Sequence, residues 1–171
     1  MASELRVDRI IPVNGVPTGG GGGIIQITSG ILNPSSTSTL VSETSPISST
    51  DGVEVGTATI TPISNTSKIL CIVSSQIAGG NNSTAVAALF RGSTNIAQRM
   101  YYSASGSSNG TNPFFIYHID SPATTSSITY SVRLGSNNSS YTQYMARSYN
   151  NSPNFYFTET QGQIILMEVS G

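Results

Sequence analysis

The 171-residue chain is long enough for one domain with a buried core, and 37% of its residues are hydrophobic. Only 9% are charged, against about 25% in an ordinary soluble domain, so Ser, Thr, Asn and Gly are predicted to cover the surface. The net charge of −1, without a basic cluster, argues against nucleic-acid binding, and apolar runs of about five residues fall short of the roughly twenty that a membrane-inserted helix needs.

Residues 1–17 predict a short attachment segment. Apolar Leu5 and Val7 alternate with charged residues, which indicates a strand, and Asn14-Gly15 favours a turn after it. These charges lie where a signal peptide needs an apolar run, so we expect synthesis in a cytoplasm without an export signal. Residues 18–23 are predicted to be a linker, because five consecutive glycines have high backbone entropy and no Lys-Ser/Thr pair follows them, as a phosphate-binding loop requires.

From residue 24 onward the pattern predicts about ten short strands separated by polar turns. The expected strands cover residues 24–27, 40–44, 53–63, 68–77, 85–90, 96–104, 114–119, 128–134, 141–147, 155–160 and 163–169. The helical period of 3.6 residues is not sustained in any window, so helix is expected to be nearly absent.

The segment 57–77 carries the strongest strand pattern. Thr57 and Thr59 alternate with apolar residues, and Pro62 ends this run because proline cannot donate to an internal ladder. After a polar turn, residues 69–73 are apolar at every position, which is typical of a strand covered on both faces. The sequence therefore predicts a hairpin of these two strands at the centre of the domain.

The strand count, the clean alternation of residues 128–134 and the missing helix pattern together predict an all-β fold. We expect one antiparallel β-sandwich of jelly-roll type over residues 24–171.

Groups that carry chemistry are few and dispersed. His118, the single histidine, lies within an aromatic strand pattern and is predicted to be a core or interface imidazole, while Cys71, the single cysteine, is predicted to be an inert buried thiol. A glycosidase needs two facing carboxylates, and the candidates are scattered: Glu54, Asp120, Glu159 and Glu168. A pair brought together by folding stays open, but the sequence predicts no enzyme, no cofactor and no metal site.

Tyrosines beside paired asparagines occur in the last third of the chain. Tyr and Asn together are typical of adaptable surfaces that contact saccharides or proteins, although ordinary tyrosines at loop edges would give the same pattern. The candidate contact residues are Ser107, Asn109, Asn112, Asn137, Asn138, Tyr141, Tyr149, Asn150 and Asn151.

Two parts of the sequence resemble proteins of phage virions. Residues 3–26, SELRVDRIIPVNGVPTGGGGGIIQ, resemble the N-terminal leader of short fibre-like proteins from tailed phages of marine bacteria and cyanobacteria. ATITPISNTSKILCIVSS, ALFRGSTNIA and IDSPATTSSITYSVRL resemble the C-terminal β-domain of many phage tail-fibre-like proteins. The chain lacks the long shaft repeats of an extended fibre, so a short fibre is expected.

The resemblance implies a homotrimeric structural protein of the virion, with a fold like the jelly roll of tumour necrosis factor. The leader would attach it to a tail adaptor or nozzle or to the capsid, through Leu5, Arg6, Val7, Asp8, Arg9, Ile10 and Ile11. The domain would then contact a polysaccharide or protein of the host surface. Two alternatives stay open: a capsid decoration or head-fibre protein that stabilises the shell, and an enzyme that degrades polysaccharide.

Overall fold

The computed structural model describes residues 23–41, 45–80, 82–103, 111–148 and 162–170. The attachment segment, the glycine linker, most of the weak strand at 40–44 and the expected strand at 155–160 lie outside the described residues. In the described part of the chain every regular element is a strand, so the predicted all-β class is confirmed. A helix able to span a membrane is not found there.

Ten strands occur in the described residues, joined by turns and short polar segments. They are β1 (Ile24–Leu32), β2 (Ser35–Thr37), β3 (Val53–Ile60), β4 (Lys68–Gly79), β5 (Ser83–Arg91), β6 (Thr94–Ser103), β7 (Thr111–Asp120), β8 (Ile128–Ser136), β9 (Gln143–Met145) and β10 (Gly162–Val169). Every pairing between these strands is antiparallel, which confirms the predicted antiparallel sheets.

The strands form two sheets that pack face to face as a sandwich. The first sheet has the order β1-β10-β4-β7, and the far half of β4 also pairs with β9, which in turn pairs with β2. The second sheet has the order β3-β8-β5-β6. Apolar side chains from both sheets, among them Cys71, Leu89, Ile116, Tyr130 and Leu166, fill the space between them.

The predicted hairpin of β3 and β4 is wrong. β3 pairs with β8 in the second sheet, whereas β4 pairs with β7, β9 and β10 in the first. The apolar sides of the two strands face the same interior from opposite sheets, so the chain buries them by crossing over. Packed sheets lie about 10 Å apart, a distance that the polar segment of residues 61–67 can span.

A small second core covers the outer side of the second sheet. Val41 and Ile47, from the segment between β2 and β3, pack on the outward side chains Val86, Ala88 and Phe90 of β5. Polar bonds hold Ile47 in place, because its carbonyl accepts from Asn95 Nδ2 at 3.0 Å and its amide donates to Gln98 Oε1 at 3.3 Å. The chain therefore shields this face of the sandwich with its own residues.

The sandwich is closed along one side by a near contact of β1 with β3. A methyl group at Gly30 would lie 1.8 Å from the carbonyl oxygen of Thr57, and one at Gly56 would lie 2.3 Å from that of Ile31. Only glycine permits the two edge strands to approach so closely.

Candidate functional site

Strand direction gives the sandwich two distinct ends. At one end, which we call the tether end, β1 begins directly after the run of five glycines in the sequence, and the amide of Ser170 donates to the carbonyl of Gly23 at 3.2 Å. The β5–β6 turn and the segment of residues 121–127 lie at this end too, because β5 and β7 finish there. The opposite, distal end is where β4 and β8 finish and where β5 and β7 begin.

Four of the predicted contact residues are described, and all four lie toward the distal end: Asn112, Asn137, Asn138 and Tyr141. Ser107, Asn109, Tyr149, Asn150 and Asn151 lie outside the described residues. Ser107 and Asn109 fall between β6, which ends at Ser103, and β7, which begins at Thr111. Both of these strand ends lie at the distal end.

The asparagines at this end hold the backbone in place. Asn137 Oδ1 accepts a hydrogen bond of 2.6 Å from the amide of Thr84, and Asn138 Oδ1 accepts one of 2.9 Å from the amide of Ser140. Asn112 donates to the hydroxyl of Tyr101 on β6. The contacts of Asn137 and Asn138 fix the turn of residues 137–140, in which Ser139 and Ser140 are exposed.

A cluster of buried polar side chains lies inside the domain near the distal end. Gln143 is fully buried, and its Nε2 donates to Ser83 Oγ at 2.8 Å and to Ser136 Oγ at 3.2 Å. Ser83 Oγ in turn donates to the carbonyl of Gly80 at 2.7 Å. Sequence reasoning missed this cluster, because a lone glutamine among tyrosines gives no pattern that marks it as buried.

An ion pair with a tyrosine joins the two sheets near the tether end. Asp120 on β7 accepts from Arg91 Nη1 at 2.8 Å and from the Tyr130 hydroxyl at 2.7 Å. Burial raises the pKa of Tyr130 most, and the hydrogen bond to the Asp120 carboxylate raises it further. The hydroxyl proton of Tyr130 therefore stays in this bond. The sequence predicts Asp120 as a turn residue, but the structure places it as the last, buried residue of β7.

Cys71 and His118 face each other across the β4–β7 pairing. Cys71 is fully buried, which confirms the predicted buried thiol, and His118 is half-buried on the inward side of β7. Burial, with a smaller contribution from the Asp120 carboxylate, raises the pKa of Cys71 to about 12. The thiol therefore stays protonated at neutral pH, and a protonated, buried thiol is a poor nucleophile.

Glu168 is a second buried carboxylate, which sequence reasoning counted only as dispersed. Its Oε1 accepts from the amide of Ile63 at 2.8 Å, and its Oε2 accepts from Gln26 Nε2. Burial alone would raise the pKa of Glu168, but the hydrogen bonds from Gln26 and the backbone outweigh it and lower the pKa below its usual value. Glu168 thus connects the segment between β3 and β4, which passes from one sheet to the other, to the edge strand β1.

Folding does place Asp120 and Glu168 in one row of the first sheet. Both pair with Ile69, so two strand spacings, or about 10 Å, separate their backbones. Each carboxylate is buried and bonded to structural partners. Among the described residues, three or more His, Cys, Asp or Glu side chains do not come together as a metal site.

No protein-family model matches the sequence, and a search of curated proteins found no match.

Proposed function

We propose that this chain is a structural protein of a phage virion, a short homotrimeric tail or surface fibre. Its N-terminal leader attaches to another virion protein, and its β-sandwich contacts the host surface. It is made in the host cytoplasm and functions in the virion. The resemblance of both the leader and the β-domain to fibre-like phage proteins gives this proposal its starting point.

The nested pairing of the strands supports a jelly-roll fold of the type found in tumour necrosis factor. β1 pairs with β10, β3 with β8, β4 with β7 and β5 with β6, so each pair encloses the next along the chain. A long antiparallel hairpin rolled into two four-stranded sheets gives this order, which is the arrangement of a jelly roll.

The observation that supports the host-contact role is that the two ends of the sandwich differ. The chain enters at the tether end, after the glycine linker, and the candidate contact residues Asn112, Asn137, Asn138 and Tyr141 lie toward the other end. A domain held by its N-terminus would present the distal end outward. Each single contact would be weak, but three copies in a trimer and several trimers in a particle raise the avidity by about 10²–10⁴-fold.

The leader is the proposed attachment element. Leu5, Val7, Ile10 and Ile11 would add a strand to an exposed sheet edge of a tail adaptor, nozzle or capsid protein, and Arg6, Asp8 and Arg9 would form polar pairs at its rim. Deletion of residues 1–17 is expected to abolish incorporation into particles while the sandwich stays folded. Particles that still carry the truncated chain would place the attachment elsewhere.

Imaging of the virion at a resolution that traces this chain tests the location. A few trimers on the tail are expected, whereas many copies spread over the shell would make the protein a capsid decoration protein. Replacement of Ser139 and Ser140, the exposed residues of the distal turn, should then reduce adsorption without changing assembly. The matched control is replacement of the exposed Ser126 and Ser127 at the tether end, which should leave adsorption unchanged, and equal loss in both variants would contradict the proposal.

A further inference from the structure

Arg147 follows β9 at the distal end, and its guanidinium lies on the ring of Tyr144. The central carbon of the guanidinium is 5.3 Å from the ring centroid, which is within the range of a cation–π contact. Tyr144 pairs with Ala78 at the end of β4 and with Ser36 of β2. Met145, the next residue of β9, belongs to the core, so Tyr144 points to the outer side of the first sheet.

The guanidinium of Arg147 has donors that the chain does not use. Arg147 is half-buried, and its Nε is shielded from solvent without a hydrogen-bond partner. The other half-buried arginines of the described residues have acceptors, because Arg91 donates to Asp120 and Arg133 donates to two backbone carbonyls. In the described part of the chain no carboxylate forms an ion pair with Arg147. An anion beside this guanidinium would offset the cost of holding its charge partly out of water.

The backbone that places Arg147 on Tyr144 is strained. Ala146 lies between them with a φ of 57°, in the left-handed region that disfavours a residue with a side chain. Ala146 is fully buried, and its amide donates to the carbonyl of Gln76 on β4 at 3.0 Å, so the sheet holds this turn in place. Strained residues of this kind cluster at binding sites, where the surrounding structure over-determines them.

The side chains next to this pair are polar and uncharged. Ser36 lies beside Tyr144 and is exposed, and Gln76 points to the same side of the sheet and is half-buried. Lys68, the one lysine or arginine in the described strands of the first sheet, lies at the opposite end of β4. The distal end of this side therefore combines one positive charge with hydroxyl and amide groups that can both donate and accept hydrogen bonds.

We propose that Arg147 is the centre of a binding site for a carboxylate-bearing saccharide. Its terminal nitrogens, Nη1 and Nη2, would donate two parallel hydrogen bonds to the carboxylate of a sugar acid, while Ser36 and Gln76 would bond sugar hydroxyls. A carboxylate fits this site better than a phosphate group does, because one guanidinium balances one charge and its planar fork matches a planar carboxylate. The site is inferred from contacts within this chain, whereas its use in host contact rests on the proposed function.

Titration of the full chain with uronic-acid trisaccharides, followed by calorimetry, tests the proposal. The ligands are tri-galacturonic acid and tri-mannuronic acid, and the control ligand is galactotriose, which lacks the carboxylates. The wild type is expected to bind at least one of the acidic trisaccharides about tenfold more tightly than galactotriose. Added sodium chloride should weaken this preference, because it screens the charge of a partly exposed site.

Substitutions of arginine locate the site. Arg147→Gln should lower the affinity for the acidic trisaccharide about tenfold, and Arg147→Lys should give an intermediate loss, because lysine keeps the charge but lacks the planar fork. Arg99→Gln is the matched control, because Arg99 is exposed on β6 of the second sheet and donates only to the neighbouring carbonyl of Gln98. Its affinity should equal that of the wild type. Circular dichroism should show the same fold for all three variants.

Three results would overturn the proposal: a wild type that does not prefer either acidic trisaccharide, Arg147 variants that bind as the wild type does, or an Arg99→Gln chain that loses as much affinity. Tri-glutamate that binds as tightly as the acidic trisaccharide would make an acidic peptide the ligand, which also overturns it. An Arg147→Gln variant that loses trisaccharide binding while phage adsorption stays normal leaves the site standing and contradicts only its role in host contact.

Discussion

The hydroxyl of Tyr130 donates a hydrogen bond of 2.7 Å to the carboxylate of Asp120, and this bond connects β8 of the second sheet to β7 of the first. Arg91 donates to the same carboxylate from β5. The interior of the sandwich is otherwise mainly apolar, so this group of three side chains fixes how the two sheets are placed relative to each other near the tether end.

Tyr130→Phe is expected to destabilise the domain. It removes a buried hydrogen bond to a charged group, which is worth about 2 kcal/mol, and leaves Asp120 with Arg91 as its remaining partner. The measurement is the urea midpoint at pH 7. Tyr102→Phe is the matched control, because it removes an exposed hydroxyl bonded to Asn82, and its effect should stay within about 0.5 kcal/mol. Equal effects of both substitutions would contradict the structural role of Tyr130.

The buried Glu168 carboxylate is expected to make the domain sensitive to acid. Its pKa is lower in the folded protein than its ordinary value of 4.5, so its stabilising contribution is complete above pH 4.5 and is lost as the pH falls through the folded pKa. Glu168→Gln should lower the thermal midpoint at pH 7 and should lose less further stability between pH 5 and pH 3. Parallel curves for wild type and variant over that range would contradict this assignment.

The Cys71 thiol is expected not to react in the native protein. It is fully buried, and its pKa is raised to about 12, so both access and the thiolate form are lacking at pH 8. A colorimetric thiol reagent should label it at the rate of global unfolding, and immediately in denaturing urea. Rapid labelling without denaturant would show that the first sheet opens locally around β4.

Gly30→Ala is expected to destabilise the domain by about 3 kcal/mol, because the added methyl group would overlap the Thr57 carbonyl and push β1 away from β3. Gly23→Ala is the matched control, because a methyl group there meets nothing within 4 Å, and its stability should change by less than about 0.5 kcal/mol. Thermal denaturation of both variants measures the difference. A stable Gly30→Ala variant would mean that the close approach of β1 and β3 is not required.

The positions of the long strands could be predicted from the sequence because their signals are local. Alternation in residues 128–134 and the polar turns around Gly92 and residues 64–67 mark strands within a few residues of their observed ends. β9 is shorter than the pattern of residues 141–147 predicts. The resemblance and the strand pattern both indicated an antiparallel sandwich, which the structure confirms.

The pairing of the strands could not be predicted in the same way. The sequence between β3 and β4 reads as a hairpin turn, yet both strands bury their apolar sides by joining different sheets. The roles of Asp120 and Glu168 depend on partners that lie 10 to 142 residues away along the chain, so no local pattern identifies them as buried. The exposed apolar side chains of the first sheet, among them Ile27, Tyr117 and Ile119, likewise share one side only once strands from distant parts of the chain pair.

The position of β10 has a consequence for how the protein is made. This last strand lies between β1, the first, and β4, so the first sheet stays divided until residues near the C-terminus are available. Pairings between such distant segments form late and slowly, whereas the β5–β6 hairpin needs only its local turn. A chain that stops short of β10 therefore also lacks Glu168 and Met167, the residue that lies between Ile27 and Leu70 in the first sheet. A chain without β10 would leave β1 and β4 without the strand that lies between them, so the first sheet would stay in two parts.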